Sequence, residues 1–343
     1  MSFKAWLRDR AGEVLFGTGL TDPGRQGAGH LAVATFHRVL PAALRAEYPL
    51  PGLVVTPEEL ERFLAFFQRH FEVGTLRDCA EAWAEGTPRG KPRLALTFDD
   101  AQLDNFLYGR APLEAAGIRA TFFAPAGSVE CGEPLWHDRL AYSAAEAWRS
   151  RRPDAEALLG ELGVTPPADA SSAAAARALV LAAKEVAPER RAAWGARVEE
   201  RLGAAVPEWD GLMTWDQLGA LAEAGHEIGS HSLTHALLPQ CDDDALTREV
   251  SESRRLLEDR LGLDVVSFCY PNGDCDARTA DAVAAAGYRW GVTTVWGTNP
   301  PGAERLRLAR FEMHAEHVRT RAGEFSEPRL AWRMSRYHPA VGS

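Results

Sequence analysis

Three of the ten histidines of the chain fall within the ten residues HEIGSHSLTH, 226–235. His231 and His235 are four positions apart, a spacing that puts two side chains on one face of a helix and is most often a solvated pair. A strand-like run around Ile228 precedes them, so we expect His231 at the end of a strand. Two imidazole nitrogens and one carboxylate together would form an open, catalytic type of divalent metal site.

The carboxylate has an obvious source in LTFDDAQLDN, 96–105. Asp99 and Asp100 follow an apolar strand-like run, and active-site residues collect at the carboxyl ends of strands in parallel α/β folds. Taken alone, the two residues are more typical of a helix cap. In a metal site the two residues could have separate roles, because one carboxylate can bind the cation while the other accepts a proton from the attacking water.

A third stretch, SFCYPNGDCD, covers residues 267–276. Pro271 and Gly273 indicate a sharp turn directly after an apolar run. A backbone N–H exposed near Asn272 could stabilise an oxyanion, although an ordinary loop is the simpler interpretation. Cys269 and Cys275 are weaker candidates for soft metal ligands at this spacing.

Several short apolar runs end in polar residues, as buried strands of a parallel sheet do. They cover 31–36, 94–98, 120–126, 226–231, 265–271, 290–294 and 306–313. Segments with helical spacing separate many of them; 56–70 opens with a threonine cap and an acidic first turn, and 214–225 runs from a threonine to a glycine. This alternation predicts an α/β fold with a parallel sheet or barrel.

Residues 138–208 break this order, since they are rich in Ala, Glu and Arg and contain almost no strand-like run. We predict a helical insertion there, either a solvated excursion or a lid or partner surface. The predicted organisation is an N-terminal segment over 1–28, a catalytic domain over 29–320 and a C-terminal tail over 321–343.

The composition and charge of the chain indicate which classes of binding partner and which cellular compartment to expect. The net charge of −10 argues against nucleic acid, because phosphate binding needs a basic surface. No secretory signal and no run of about 18 apolar residues is visible, so no transmembrane span is expected. These features predict a cytoplasmic protein, and association with the inner face of the membrane stays open as an alternative. They do not indicate an oligomeric state.

The motifs TFDDA, GHEIGSHSLTH and FCYPNGD, in this order, resemble those of the polysaccharide deacetylase (NodB-homology) family. The similarity covers roughly residues 29–313, with 138–208 as an insertion. It implies a distorted (β/α) barrel and a divalent metal ion, usually zinc. It also implies hydrolysis of the N-acetyl group of an amino sugar in a polysaccharide, an oligosaccharide or a lipid-linked precursor.

Carried over residue by residue, the resemblance implies that Asp99 is the catalytic base and that the amide of Asn272 contributes to an oxyanion hole. The metal ligands would be Asp100, His231 and His235.

The resemblance leaves two candidates for the general acid. His37 follows the first strand in ATFHRVLP, which resembles the YHxV element of circularly permuted members that act on exopolysaccharide amino sugars. His314, in RFEMHAEH, stands where the conventional chain order would place the acid. We favour His37, because its flanking residues match and because a general acid must lie in the same layer of strand ends.

The chain departs from the motifs of the family at three positions. Ala101 stands where the first motif ends in Gly, and its methyl group could crowd the metal. Cys269 stands where many members carry an Arg that positions the base, an Arg that the permuted members also lack. Asn272 replaces a common Tyr.

Two other classes of function compete with a deacetylase. A catalytically impaired carbohydrate-binding protein on the same fold would explain Ala101 and the insertion. An iron oxygenase with two histidines and one carboxylate is less consistent with the sequence, because its usual close His-x-Asp pair is missing.

Overall fold

The structure is a computed structural model that describes residues 10, 12–27, 29–86, 90–167, 169–203, 206–338 and 340. Parts of the predicted N-terminal segment (1–9, 11 and 28) and of the predicted tail (339 and 341–343) therefore lie outside the described residues.

Seven parallel strands close into a barrel. The ring runs in the order β1 (Leu31–Phe36), β10 (Leu308–Glu312), β9 (Trp290–Trp296), β8 (Ser267–Cys269), β7 (Glu227–Ser230), β6 (Thr121–Ala124) and β5 (Arg93–Phe98). It closes because β5 pairs with β1 from Leu31↔Arg93 to Phe36↔Phe98. These strands coincide with the seven predicted apolar runs, and the predicted (β/α) barrel is confirmed.

Three further strands accompany the barrel. β4 (Glu72–Gly74) pairs with the first half of β5, on the edge that β6 occupies further along. β2 (Arg38–Val39) and β3 (Val54–Val55) form a separate two-stranded sheet just beyond the end of β1. The sequence did not predict these short strands, since runs of two or three residues carry no readable period.

The helices carry recognisable start signals. The helix Pro57–His70 begins with a capping box in which Thr56 and Glu59 exchange hydrogen bonds. Thr214 and Gln217 form another at the start of the helix Trp215–Glu223. From the N-terminal side the helices are α1 (Pro23–Gln26), α2 (Ala42–Glu47), α3 (Pro57–His70), α4 (Leu76–Ala84), α5 (Arg110–Ala116), α6 (Ala126–Cys131), α7 (Trp136–Ser150), α8 (Arg152–Glu161), α9 (Ser172–Lys184), α10 (Pro188–Leu202), α11 (Trp215–Glu223), α12 (Asp243–Leu261), α13 (Ala277–Ala285), α14 (Ala315–Val318) and α15 (Glu327–Arg333). None of the helices in the described ranges combines the length and the apolar character that crossing a membrane requires.

The side chains of each barrel strand alternate between two layers. One layer packs against the helices and includes Phe36, which stacks on Phe98 at 5.6 Å. The other layer includes Val33, Ala95 and Leu308. Because the period of a strand is two, the residues that continue this second layer toward the carboxyl ends are polar ones, among them residues 37, 99 and 310.

Helices α7 to α10 lie in the predicted insertion and bury an apolar cluster of their own. A buried charge network joins this insertion to the barrel. Arg38 donates to Asp104 at 2.5 Å and to Asp210 at 2.5 Å, and its Nη1 lies 4.0 Å from Asp138. Tyr48 donates to the same Asp138 at 2.8 Å. Since Asp138 is on α7 and Asp210 follows α10, a single guanidinium holds both ends of the insertion against the barrel.

The segment predicted to be a tail is packed against the barrel as far as the structure describes it. Leu330 and Ala331 of α15 are fully buried in the same cluster as the helix-facing layer, and Phe325 contacts Phe63 of α3 edge to face. Apolar burial therefore makes this segment part of the folded body.

Candidate metal and catalytic site

The carboxyl ends of several barrel strands open into one cavity of about 140 Å³. All six predicted site residues line it, and each comes from the end of a strand or from the loop that follows: His37, Asp99, Asp100, His231, His235 and Asn272. Parallel strands bring residues from distant parts of the sequence to one edge, which is why the three motifs meet.

Asp100 faces both histidines of the HxxxH pair. Its Oδ1 lies 3.3 Å from His231 Nε2 and 3.2 Å from His235 Nε2. The ligand atoms of the three residues lie within 4.8 Å of one another. His231 Nδ1 is 2.8 Å from the carbonyl oxygen of Cys269, so its other nitrogen is the one presented to Asp100.

The donor set fits a divalent cation. Asp100 Oδ1 is buried and has no hydrogen-bond partner within the described chain, which is unfavourable for a carboxylate oxygen unless something else binds it. Burial opposes the ionisation of Asp100, but the two facing imidazoles hold its pKa well below the usual range. Burial lowers the pKa of His235 to about 4, so its imidazole is neutral, as a metal ligand must be. At His231 the effect of burial is outweighed by Cys269 and Asp100, so its pKa lies well above the ordinary value, and a bound cation would have to displace that proton.

Asp99, the predicted base, is held by an arginine that the sequence analysis missed. Arg310 Nη1 donates to Asp99 Oδ1 at 2.9 Å, and Cys269 Sγ lies 3.5 Å from Oδ2. Burial raises the pKa of Asp99, but the guanidinium of Arg310 and the imidazole of His37 outweigh it, so this pKa lies below its ordinary value. The run 306–313 contains two arginines, and the signal for Arg310 was that it lies two positions from Leu308 and so shares the inward layer.

The two candidate acids occupy different surroundings. His37 Nε2 lies 3.8 Å from Asp99 Oδ2, and the side chain lines the cavity. His314 Nδ1 contacts the carbonyl oxygen of Gly52 at 2.7 Å, and its Nε2 lies 3.1 Å from Glu312. The geometry therefore puts His37 beside the predicted base, whereas His314 is not among the residues that line the cavity.

The turn at Asn272 has an unusual backbone. Its φ is 61°, a left-handed conformation that asparagine tolerates better than most residues. Asn272 Oδ1 accepts from Lys184 Nζ at 2.5 Å, and Nδ2 donates to Asp274 at 2.8 Å. The side chain is thus engaged on both sides while the residue lines the cavity.

The helical insertion contributes side chains to the cavity, which the sequence analysis did not predict. His137 and Lys184, from α7 and α9, both line it. The ring of His137 lies 5.1 Å from that of His235, and burial lowers the pKa of His137 to about 4. The insertion is therefore part of the cavity wall, which favours the lid or partner surface over a solvated excursion.

Ala101, where the motif of the family has Gly, does not line the cavity. It is fully buried in the helix-facing cluster, and its φ is 50°. The positive φ gives a physical reason for the usual Gly, because a Cβ is strained in this conformation. The methyl group thus costs backbone strain, and the expected crowding of the metal does not arise from it.

A comparison with known families finds a match over part of the chain. Residues 174–291 match the sequence model of the family described as polysaccharide deacetylase. Over this segment the chain is similar to the polysaccharide deacetylase family. The segment matched to the family contains His231, His235 and Asn272, whereas His37, Asp99 and Asp100 lie outside it.

Individual relatives are distant. YxkH of Bacillus subtilis, named for the same family, is 26% identical over 106 residues, a match that covers 31% of this chain and only 36% of YxkH. Among solved structures, the deacetylase PplD of Streptococcus pyogenes in complex with acetate has 17% identity and a TM-score of 0.58, covering 89% of this chain and 98% of PplD. IcaB from Ammonifex degensii has 15% identity and a TM-score of 0.56, covering 89% and 97%. At these identities the structures show that the chain shares their fold.

Proposed function

We propose that the protein is a metal-dependent hydrolase that removes the acetyl group from an N-acetylated amino sugar. The substrate would be a polysaccharide, an oligosaccharide or a lipid-linked precursor. The proposal rests mainly on the different surroundings of two adjacent carboxylates. Asp100 faces two histidines, whereas Asp99 is held by Arg310 and lies beside His37. The match to the deacetylase family model and the fold shared with PplD and IcaB support this proposal. The similarity to these two structures favours a deacetylase of the exopolysaccharide type.

Asp100, His231 and His235 would hold the cation, with zinc the first candidate for two imidazoles and one carboxylate. A divalent cation here supplies Lewis acidity toward the acetyl carbonyl and the attacking water.

The remaining residues would move protons and stabilise charge. Asp99, kept ionised by Arg310, would accept a proton from the attacking water while the oxygen of that water forms a bond to the carbonyl carbon of the acetyl group. The backbone N–H of Asn272 would donate to the oxygen that becomes negative. His37 then protonates the nitrogen as the carbon–nitrogen bond breaks, so that acetate and a free amine leave.

The test is acetate release from a tetramer of N-acetylglucosamine. Zinc-loaded protein should release acetate, chelation should stop the release, and added zinc should restore it. Asp99→Asn should lower the rate by about 100-fold or more, because general-base catalysis contributes roughly that much. Asp154→Asn, at an exposed carboxylate of α8, is the matched control and should keep the wild-type rate. Glycan binding without any acetate release would point instead to a carbohydrate-binding protein.

A further inference from the structure

Lys184 is the last residue of α9 in the helical insertion, and its side chain reaches the cavity that holds Asp99 and Asp100. Its hydrogen-bond partner is a neutral group, Asn272 Oδ1 at 2.5 Å. An ammonium carries three N–H donors, so this contact leaves two of them for other partners. No carboxylate of the described chain makes an ion pair with it.

The carboxylates nearest this ammonium are already occupied by other groups. Asp100 faces the two histidines of the candidate metal site. Asp274 accepts from Asn272 Nδ2 at 2.8 Å, and Glu312 lies 3.1 Å from His314 Nε2. The ammonium is thus held near negative charge without a carboxylate in direct contact among the described residues, at the wall of the cavity where a substrate would lie.

The burial of the ammonium is unfavourable in the free protein. Loss of hydration lowers the pKa of Lys184, while the surrounding carboxylates only partly oppose this effect. An anionic group of a ligand would provide charge-assisted hydrogen bonds to the two remaining donors. His137 and Val180, which also line the cavity from the insertion helices, carry no negative charge that would repel such a group.

We propose that Lys184 is a specificity-determining residue that binds an acidic substituent, a carboxylate or a phosphate, of the N-acetylated sugar. The insertion thereby adapts the barrel to acidic substrates. This inference rests on the proposed function for the identity of the sugar, but the acidic preference can be measured without turnover.

The test is equilibrium binding of three probes, measured by titration calorimetry at constant ionic strength on zinc-loaded protein and on chelator-treated protein. N-acetylglucosamine is the neutral probe, N-acetylglucosamine 6-phosphate carries a phosphate and N-acetylmuramic acid carries a carboxylate. We expect at least one acidic probe to bind about 10- to 100-fold more tightly than the neutral one, the range that hydrogen bonds to a charged group provide. The acidic probe that is preferred identifies the source of the negative charge.

Lys184→Met should remove the preference, weakening binding of the acidic probe by much more than binding of N-acetylglucosamine, while Lys184→Arg should retain most of the preference. Arg190→Gln removes the same charge from an exposed position of α10, in the same insertion, and should keep the wild-type preference. A wild type that binds no acidic probe more tightly than the neutral one would overturn the inference. A preference that survives in Lys184→Met with an unchanged melting temperature would also overturn the inference. If Lys184→Met does not fold, the binding preferences of the wild type and of Lys184→Arg remain as the test.

The two proposals can fail separately. Acetate release from the neutral tetramer without any acidic preference would overturn only the role of Lys184. An acidic preference that is lost in Lys184→Met, in a protein that releases no acetate from any substrate, would overturn only the deacetylase activity.

Discussion

A buried carboxylate can serve as a base only if it stays ionised, and at Asp99 a residue from the last barrel strand ensures this. Arg310 reaches Asp99 from β10, while Cys269, from β8, contributes a thiol to the other carboxylate oxygen. The position at which many family members carry an arginine is thus occupied by Cys269, and a different strand provides the positive charge. The departure at Cys269 therefore does not remove the charged partner of the proposed base.

Replacing Arg310 should change the pH dependence of the reaction. In Arg310→Met the pKa of Asp99 rises, because the guanidinium that lowers it is gone while burial remains. The acid limb of the profile of kcat/KM against pH should therefore move to higher pH, and the rate at neutral pH should fall by at least about tenfold. Arg305→Met, at an exposed position before the same strand, should leave the profile unchanged. An unshifted acid limb in Arg310→Met would show that Asp99 is not the titrating base.

The assignment of the general acid can be tested by separate substitutions. His37→Ala should lower kcat by about 100-fold or more, because the amine of the sugar would have to leave without a positioned proton donor. His314→Ala should change kcat by less than about threefold, since His314 contacts Gly52 and Glu312 and does not line the cavity. A near-wild-type rate for His37→Ala would refute its role, and the reverse pattern would assign the role to His314.

The candidate site residues that sequence reasoning named are those that directly follow strands in recognisable motifs. Arg310 and Lys184 were missed for two physical reasons. Arg310 lies inside a strand, where only its inward direction reveals a role, and that direction depends on the register with β1. Lys184 ends a helix whose path to the cavity depends on tertiary packing. Neither relation is encoded in local spacing.

At the scale of elements, the strands and the capped helices followed from local sequence, whereas the docking of the insertion did not. The boxes at Thr56 and Thr214 mark helix starts within a few residues, so they could be read directly. The network around Arg38 joins residues that are 66 and 172 positions apart, and no local pattern connects them.

That network predicts how the insertion depends on one cation. Arg38→Met should lower the free energy of unfolding by about 3–5 kcal/mol, because it leaves buried carboxylates without their partner. Burial already raises the pKa values of Asp104, Asp138 and Asp210, and loss of Arg38 raises them further. A carboxyl whose pKa is raised by folding costs stability as pH rises, so the loss should be larger at about pH 8 than at about pH 5.5.

Denaturant unfolding at the two pH values measures this loss. The control is Arg62→Met, at an exposed position on α3, which should change stability by less than about 0.5 kcal/mol at either pH. A pH-independent loss in Arg38→Met would show that the three carboxyls do not depend on this guanidinium for their ionisation.

At the scale of the whole molecule, closure of the barrel unites the two ends of the chain at one site. β1 pairs with both β5 and β10, so the first and last barrel strands are neighbours of each other, and the first also adjoins the strand that ends before Asp99. His37 and Arg310 therefore reach the same carboxylate from opposite ends of the sequence. The resemblance of ATFHRVLP to permuted members had suggested this arrangement for His37, but the register that completes it is a property of the closed ring.

The most direct test of the account is the zinc content of the protein after chelation and dialysis against zinc, measured by elemental analysis. Wild type and Asp99→Asn should each retain about one zinc per chain, because Asp99 lies beside the site without being a ligand. The double variant Asp100→Ala and His235→Ala should retain almost none. One zinc per chain in a folded double variant would contradict the claim that Asp100, His231 and His235 bind a single cation.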